Sequence, residues 1–276
     1  MKKSELGIGV FCYNRPSHFK RVLISLEAIN LKELIIFIDG AKNETDKINS
    51  EYIKFIAKNT TIKKIKIIER KFNLGLSKSL TKGIDFLSKN YNKFIVIEDD
   101  CVVYKNFLKY FVFCLDEFEN EEIVNNICSF QFKEISHLSK PEYNILKLKH
   151  FLPWAWGTWS SKWQKYKKFK TNNYNNIPEF LINLNTRSYR DSKNNDIWTL
   201  SYILYQYHFK MCSIYPTYTL SKNIGFDGSG VNSKASNFFT SKEAKINKLN
   251  FDKVIYSSKL EELQKKIINK NYKLFY

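Results

Sequence analysis

Three consecutive carboxylates, Glu98-Asp99-Asp100, end the apolar run Phe94-Ile95-Val96-Ile97. Like charges gathered at one point repel each other, and each makes ionising the next more costly unless a positive charge joins them. A divalent cation is the simplest such partner, because hard cations take oxygen ligands. The run that delivers the acids is rich in branched residues, as a strand buried on both faces is. In open α/β sheets, ligands gather at the carboxyl ends of the strands. The triplet therefore reads as a metal site at the tip of a central strand, with a solvated acidic turn as the plainer alternative.

The elements before it set this strand in a sheet. Gly7 to Tyr13 reads as a first buried strand, closed by the turn Asn14-Arg15-Pro16-Ser17. Phe19, Val22, Leu23 and Leu26 then fall at helical spacing. Leu34 to Ile38 is a second buried strand ending at Asp39-Gly40, and a helix around Ile48 to Ile56 follows a Thr45-Asp46 cap signal. Ile62 to Ile68 alternates, as a strand nearer an edge does. Asn73-Leu74-Gly75 turns the chain, and Ser77 is placed to cap a helix carrying Leu80, Ile84 and Leu87. Strand and helix alternate four times, which predicts an α/β fold: a mostly parallel sheet with helices on both faces.

The second half changes character. Phe107 to Phe118 reads as a helix, Ile127 to Phe132 as a short strand, and Ile145 to Lys149 as a half-exposed strand. Residues 153–159 (PWAWGTW) hold three of the five tryptophans, and Trp163 follows on a helix. A short helix is expected at Pro178 to Leu184 and another from Asp196 to about Phe209, before a last strand at Met211 to Tyr215. Ser221 to Ser233 is a Gly-rich loop. Lys242 to Tyr276 is a basic tail with an amphipathic stretch at Leu260, Leu263, Ile267 and Ile268. With no internal repeat and no clear linker, residues 1–276 read as one domain.

The 45 basic residues outnumber the 27 acidic ones by 18. Such a charge suits phosphate-bearing partners or an anionic membrane face, although abundant Lys, Asn and Ile also fit a base-composition bias. Five cysteines without CxxC spacing read as buried free thiols in a reducing compartment. No apolar run approaches the ~20 residues of a membrane span, and the N-terminus carries no signal-peptide core. The expected location is cytoplasmic, with peripheral contact at a membrane.

In order and spacing, the pieces resemble the nucleotide-sugar-binding half of a GT-A glycosyltransferase. The matching parts are a first strand ending in a Pro-containing turn, a second ending in Asp39, an Asn-x-Gly at 73–75, and a strand ending Glu98-Asp99-Asp100. The triplet is similar to the DXD motif of that fold. Its Glu-Asp-Asp form resembles that of inverting N-acetylglucosaminyltransferase I-type enzymes and bacterial family-2-like enzymes. The resemblance spans roughly residues 7–230. It implies a mixed, Rossmann-like sheet with an acceptor-side extension: a donor half at about 7–132, an acceptor half at about 133–240, and a tail at 241–276.

The resemblance also implies roles. Asn14 and Arg15 would lie along the nucleoside and diphosphate, and Asp39 would accept a hydrogen bond from the base, typically uracil. Asn73 and Gly75 would shape the loop beneath the nucleotide, with Lys78 nearby. Glu98 and Asp99 would hold sugar or ribose hydroxyls, and Asp100 would ligate Mn²⁺ or Mg²⁺. Asp196 would be the base that deprotonates the acceptor hydroxyl, with Asp191 in reserve. Trp154, Trp156 and Trp159 would floor the sugar pocket beside Gly157, although alternate tryptophans also pack cores. The loop Asn223 to Gly230 could close over phosphates. Asp227 is a weak substitute for the metal-binding His that some relatives carry there. The implied reaction is inverting transfer from a nucleoside-diphosphate sugar, UDP-sugar first, to a glycan or lipid-linked glycan in surface polysaccharide synthesis.

Other readings weigh less. The lysines form no single stripe or known RNA module, so no nucleic-acid partner is expected. A sugar nucleotidyltransferase would want a Gly-rich loop after the first strand, and Asn14-Arg15-Pro16-Ser17 has no glycine. A metal-dependent nuclease would need further acids on other strands.

Overall fold

A computed structural model describes residues 3–138, 145–169, 198–228 and 254–271. Its frame is a nine-stranded sheet whose strands lie in the order Val254–Tyr256, Ile145–Leu148, Cys212–Pro216, Val124–Cys128, Trp156–Trp159, Tyr91–Glu98, Ser4–Cys12, Glu33–Ile38 and Lys64–Glu69. β1 (Ser4–Cys12), β2 (Glu33–Ile38), β3 (Lys64–Glu69) and β4 (Tyr91–Glu98) are parallel, with β3 at the edge. The inner strands are apolar on both faces. Leu34 to Ile38 of β2 are all buried, whereas every residue of β3 keeps some access to solvent.

The connections from β1 to β2 and from β2 to β3 carry α1 (Pro16–Ala28) and α2 (Glu44–Lys58) along one face, where the two helices pack on each other. α3 (Leu76–Asn90) returns from β3 to β4 across the other. The chain thus reverses its direction of travel between β1 and β4. That reversal opens a crevice at their carboxyl ends, the usual ligand position in such sheets.

Local chemistry differs from two expected caps. Asn43, not Thr45, caps α2, its side chain accepting from the Asp46 N–H at 2.8 Å. α3 starts directly after Gly75, whose φ of +77° suits a residue without a Cβ, so Ser77 lies inside the helix.

Beyond β4 the sheet is mixed. β5 (Cys101–Val103) leaves the acids and pairs antiparallel with β10 (Ser221–Asn223), forming a small second sheet. After α4 (Phe107–Glu117), β6 (Val124–Cys128) starts earlier than its apolar run suggests. α5 (Lys133–Leu138) follows. β7 (Ile145–Leu148) is more buried than expected, because β9 (Cys212–Pro216) and β11 (Val254–Tyr256) flank it on both sides. β9 is therefore not the last strand. β8 (Trp156–Trp159) runs antiparallel between β4 and β6. α6 (Ser160–Lys168) and α7 (Trp198–His208) complete that half.

The tail forms α8 (Ser258–Asn271), and its Leu260, Ile267 and Ile268 join the core. Its apolar side is thus packed inward. The expected helix at 178–184 lies outside the described residues. All five cysteines are buried and free, and no described helix is long and apolar enough to cross a membrane.

The tryptophan segment packs the core instead of flooring a pocket. Trp156 and Trp159 have essentially no exposed surface. The Trp156 ring lies 5.1 Å from Phe151, 5.4 Å from Tyr202 and 5.7 Å from Trp198. The Trp159 Nε1–H donates to the Leu115 carbonyl at 2.9 Å. Trp159 pairs with Lys93, near the start of β4 and a strand length from the acids. Gly157 serves strand packing: a Cβ there would meet Phe111 and the Phe94 carbonyl at 3.0 Å. Replacing Trp156 by Ala is expected to cost about 3–5 kcal/mol of stability, read by urea denaturation. A loss below about 1 kcal/mol would contradict the core role.

Candidate active site

The crevice between β1 and β4 holds the acids. Each strand extends its pairing one step past its end. The Asp39 N–H donates to the Cys12 carbonyl, and the Asp99 N–H to the Phe11 carbonyl, both at 3.0 Å. Arg15 is the N-cap residue of α1, but its side chain makes no cap and turns to the acids. The Arg15 Nη2 donates to Asp99 Oδ1 and, at 2.9 Å, to Asp100 Oδ2. The resemblance implies Arg15 on the diphosphate; here it spans the two aspartates.

The far side of Asp100 is closed by the segment after β10. The Ile224 N–H donates to the Asp100 carbonyl at 2.8 Å, and Asn223 Nδ2 donates to Asp100 Oδ1 at 3.3 Å. Gly225 packs on the carboxylate so closely that a Cβ would fall on Asp100 Oδ2. Asp227 pairs with His18 of α1 at 3.0 Å. The expected role of Asp227 is a substitute metal ligand, and here its carboxylate meets α1 instead. Asp99 and Asp100 are consequently buried.

Burial and the two neighbouring aspartates push the Glu98 carboxyl up to about 8. Burial also raises Asp99, against the opposing pull of Arg15. Cys101 stays a thiol, because burial and the adjacent acids raise it well above its ordinary value.

A second cluster forms around Asp39. Its carboxylate accepts from the Leu74 and Gly75 N–H groups at 3.0 Å and from Asn73 Nδ2 at 3.1 Å. Asn73 Nδ2 also donates to the Gly40 carbonyl at 2.8 Å. Asp39, Asn73 and Gly75 therefore build one loop, with Asp39 as its anchor. Lys78 stands exposed in the first turn of α3.

Asn14 turns away from this cluster. It and Tyr13 donate to Asp46, at 2.7 and 2.5 Å. Asp46 thereby holds the turn between β1 and α1, a role beyond the cap signal read from sequence.

Arg70 is the residue the sequence did not single out. Its backbone N–H donates to the Ile38 carbonyl at 2.9 Å, which sets it beside Asp39. Its shielded Nε and Nη2 have no hydrogen-bond partner among the described residues. A guanidinium in that condition is poised for an anion or carbonyl. The only prior signal was its place, directly after an alternating strand.

Trp154 reaches the rim of the site through Phe226, 5.5 Å away. Trp156, Gly157 and Trp159 do not reach it. Asp196 and Asp191 lie outside the described residues.

Among the described residues, no three His, Cys, Asp or Glu side chains form a ready metal cage. The residues still suit a divalent cation. Three neighbouring carboxylates face a single guanidinium, and an incoming divalent cation would favour their ionised forms.

A carboxyl raised on folding adds stability below its unfolded value and loses it as pH rises through the folded one. In EDTA, the melting temperature is therefore expected to fall between about pH 5 and pH 8. Glu98→Gln is expected to flatten that fall. An unchanged slope in the variant would remove Glu98 as its source.

The glycosyl transferase family 2 model matches residues 8–198, well over half of the chain. No curated protein matches the chain. Among solved structures, a mannosyltransferase from Pyrobaculum calidifontis, in complex with GDP-Man and Mn²⁺, is 10% identical with a TM-score of 0.44. It aligns over 62% of this chain, which spans about half (49%) of the mannosyltransferase. A UDP-glucose pyrophosphorylase complexed with UDP-glucose is 10% identical over 76% of this chain and 90% of its own, with a TM-score of 0.40. The glycosyltransferase GlyE of Streptococcus pneumoniae TIGR4 is 13% identical over 76% and 45%, with a TM-score of 0.35. The family match takes in Arg15, the acid triplet and the Asp39 loop, and on it the chain belongs to glycosyl transferase family 2.

Proposed function

We propose that this chain transfers a sugar from a nucleoside-diphosphate sugar, UDP-sugar first, to a hydroxyl of a glycan or lipid-linked glycan, with inversion at the anomeric carbon. The observation that carries the reading is the acid triplet and its guanidinium at the reversal point of a parallel sheet, in a chain of this family. Residues 7–132 form the donor half and 133–240 the acceptor half.

The base and ribose sit over the Asp39 loop, where Arg70 supplies unspent donors. Glu98 and Asp99 take ribose or sugar hydroxyls. Asp100 would hold Mn²⁺ or Mg²⁺, which when bound would supply charge neutralisation on the diphosphate. α1 points its N-terminus into the crevice with no acid in its first turn, which favours an anion there.

Asp196 takes the acceptor O–H proton as that oxygen attacks the anomeric carbon. The bond from that carbon to the phosphate oxygen breaks, and the diphosphate leaves with the electron pair. What supports Asp196 is its place in the chain: it precedes α7 by two residues and α7 leads into β9, the helix-then-strand order in which the families the chain resembles place their base.

Attachment to an anionic membrane falls to the basic surface and the tail, whose α8 packs its apolar side inward and leaves Lys259, Lys265, Lys266 and Lys270 exposed. Sedimentation with anionic liposomes that is no greater than with neutral ones would end that part of the reading.

Two variants test the chemistry. In calorimetry with UDP, GDP and CMP, with and without Mn²⁺, Asp100→Ala is expected to lose metal-dependent binding of UDP. Asp196→Asn is expected to keep it while turnover falls about 10²–10⁴-fold. Preference for another nucleotide would change the donor, and binding of none would overturn the transferase reading.

A further inference from the structure

Arg15 does two things that conflict in a working donor site. Its Nη2 bridges Asp99 and Asp100, and Asp100 is the carboxylate assigned to the divalent cation. Its Nη1 lies 3.1 Å from the position a Gly225 Cβ would take, directly over Asp100 Oδ2. Asp100 is thus enclosed by Arg15 and Gly225 at Oδ2 and by Asn223 at Oδ1. Among the described residues, no other cation is within ion-pair distance of the three acids. An ion reaching Asp100 has to displace one wall, and only the guanidinium carries a charge that an incoming cation makes redundant.

Resting on the donor-site reading above, we propose that Arg15 is a built-in counter-cation. It holds Asp99 and Asp100 until a divalent cation arrives with the nucleotide, then yields them and turns its guanidinium to the diphosphate. Several features fit the exchange. The Arg15 backbone is pinned separately from its side chain: its carbonyl accepts from the Phe19 N–H at 3.1 Å, and Pro16 fixes the first turn of α1. The side chain keeps 22% of its surface in solvent, so it has somewhere to move. Its partners after the move are phosphate oxygens, which a planar guanidinium grips in two places.

The exchange makes metal and nucleotide binding interdependent. Metal alone competes with Arg15. Metal with a diphosphate does not, because the guanidinium then has another anion. The two ligands therefore raise each other's affinity by the same factor. Arg15 is a positioning residue in this scheme, acting through the acids and the phosphates.

The test counts bound Mn²⁺ by electron paramagnetic resonance on the full chain, without nucleotide and with UDP. Wild type is expected to bind Mn²⁺ weakly alone and more tightly with UDP. Arg15→Ala is expected to bind Mn²⁺ alone roughly tenfold more tightly, the scale of losing one close charged competitor, and to lose most of the UDP-dependent gain. Arg15→Lys, with a charge that cannot fork across two carboxylates, is expected to fall between. If Arg15→Ala fails to fold without metal, Arg15→Lys carries the test. Mn²⁺ affinity in the folded variants equal to or below wild type would overturn the exchange. If wild type binds no nucleotide, the donor reading fails. Tighter Mn²⁺ binding by Arg15→Ala alone would then still establish the competition at the acids.

Discussion

One guanidinium among three carboxylates is the interaction on which the site depends. Glu98, Asp99 and Asp100 are delivered together because β4 ends where it does, and strand geometry cannot spread them apart. Arg15 meets them because β1 lies next to β4 in register, Val10 beside Ile97 and Phe11 beside Glu98. The turn after β1 therefore emerges beside the acids. Asp46 fixes that turn from α2 by accepting from Tyr13 and Asn14. The charge balance at the crevice is thus set by three elements distant in sequence and adjacent in the sheet.

The same logic explains the second cluster. β2 ends level with β1, Ile38 beside Cys12, and Asp39, the next residue, takes over as anchor for the loop that follows β3. A carboxylate receiving two backbone N–H groups and a side-chain amide is held rigidly. The loop therefore presents a fixed surface to whatever enters, with Arg70 alongside.

Much of this was legible in the residues. β1, β2 and β4 could be read because each carries a continuous apolar run buried on both faces, and β3 because, at the edge, it alternates. Asp39, Asn73 and Gly75 could be grouped because turns use those residue types. Other features depended on partners that sequence does not display. Thr45 and Asn43 are equally plausible caps until the Asp46 N–H chooses one. Trp156 and Trp159 carry the same composition in a sugar pocket as in a core, and only the pairing of β8 with β4 and β6 decides between them. The Lys-rich 145–149 stretch looks half-exposed until β9 and β11 are seen on either side. Arg70 carried no pattern, and its interest lies wholly in shielded nitrogens without partners. The amphipathic spacing in the tail marks a helix face, but its destination, the protein's own core, is a tertiary fact.

The position of β8 also bears on how the chain is made. β6 is synthesised before β8, yet it joins the main sheet on that side only through β8. Trp156 follows Glu98 by 58 positions. At ~5–20 residues per second, the outer edge of β4 stays open for roughly three to twelve seconds on the ribosome. That edge, Phe94 to Val96, is flat, apolar and unpaired throughout the interval, the kind of strand that recruits other chains. A nascent or truncated product ending before β8 would expose it permanently. The sheet's central insertion is thus both the link between its halves and the moment of greatest risk in its assembly.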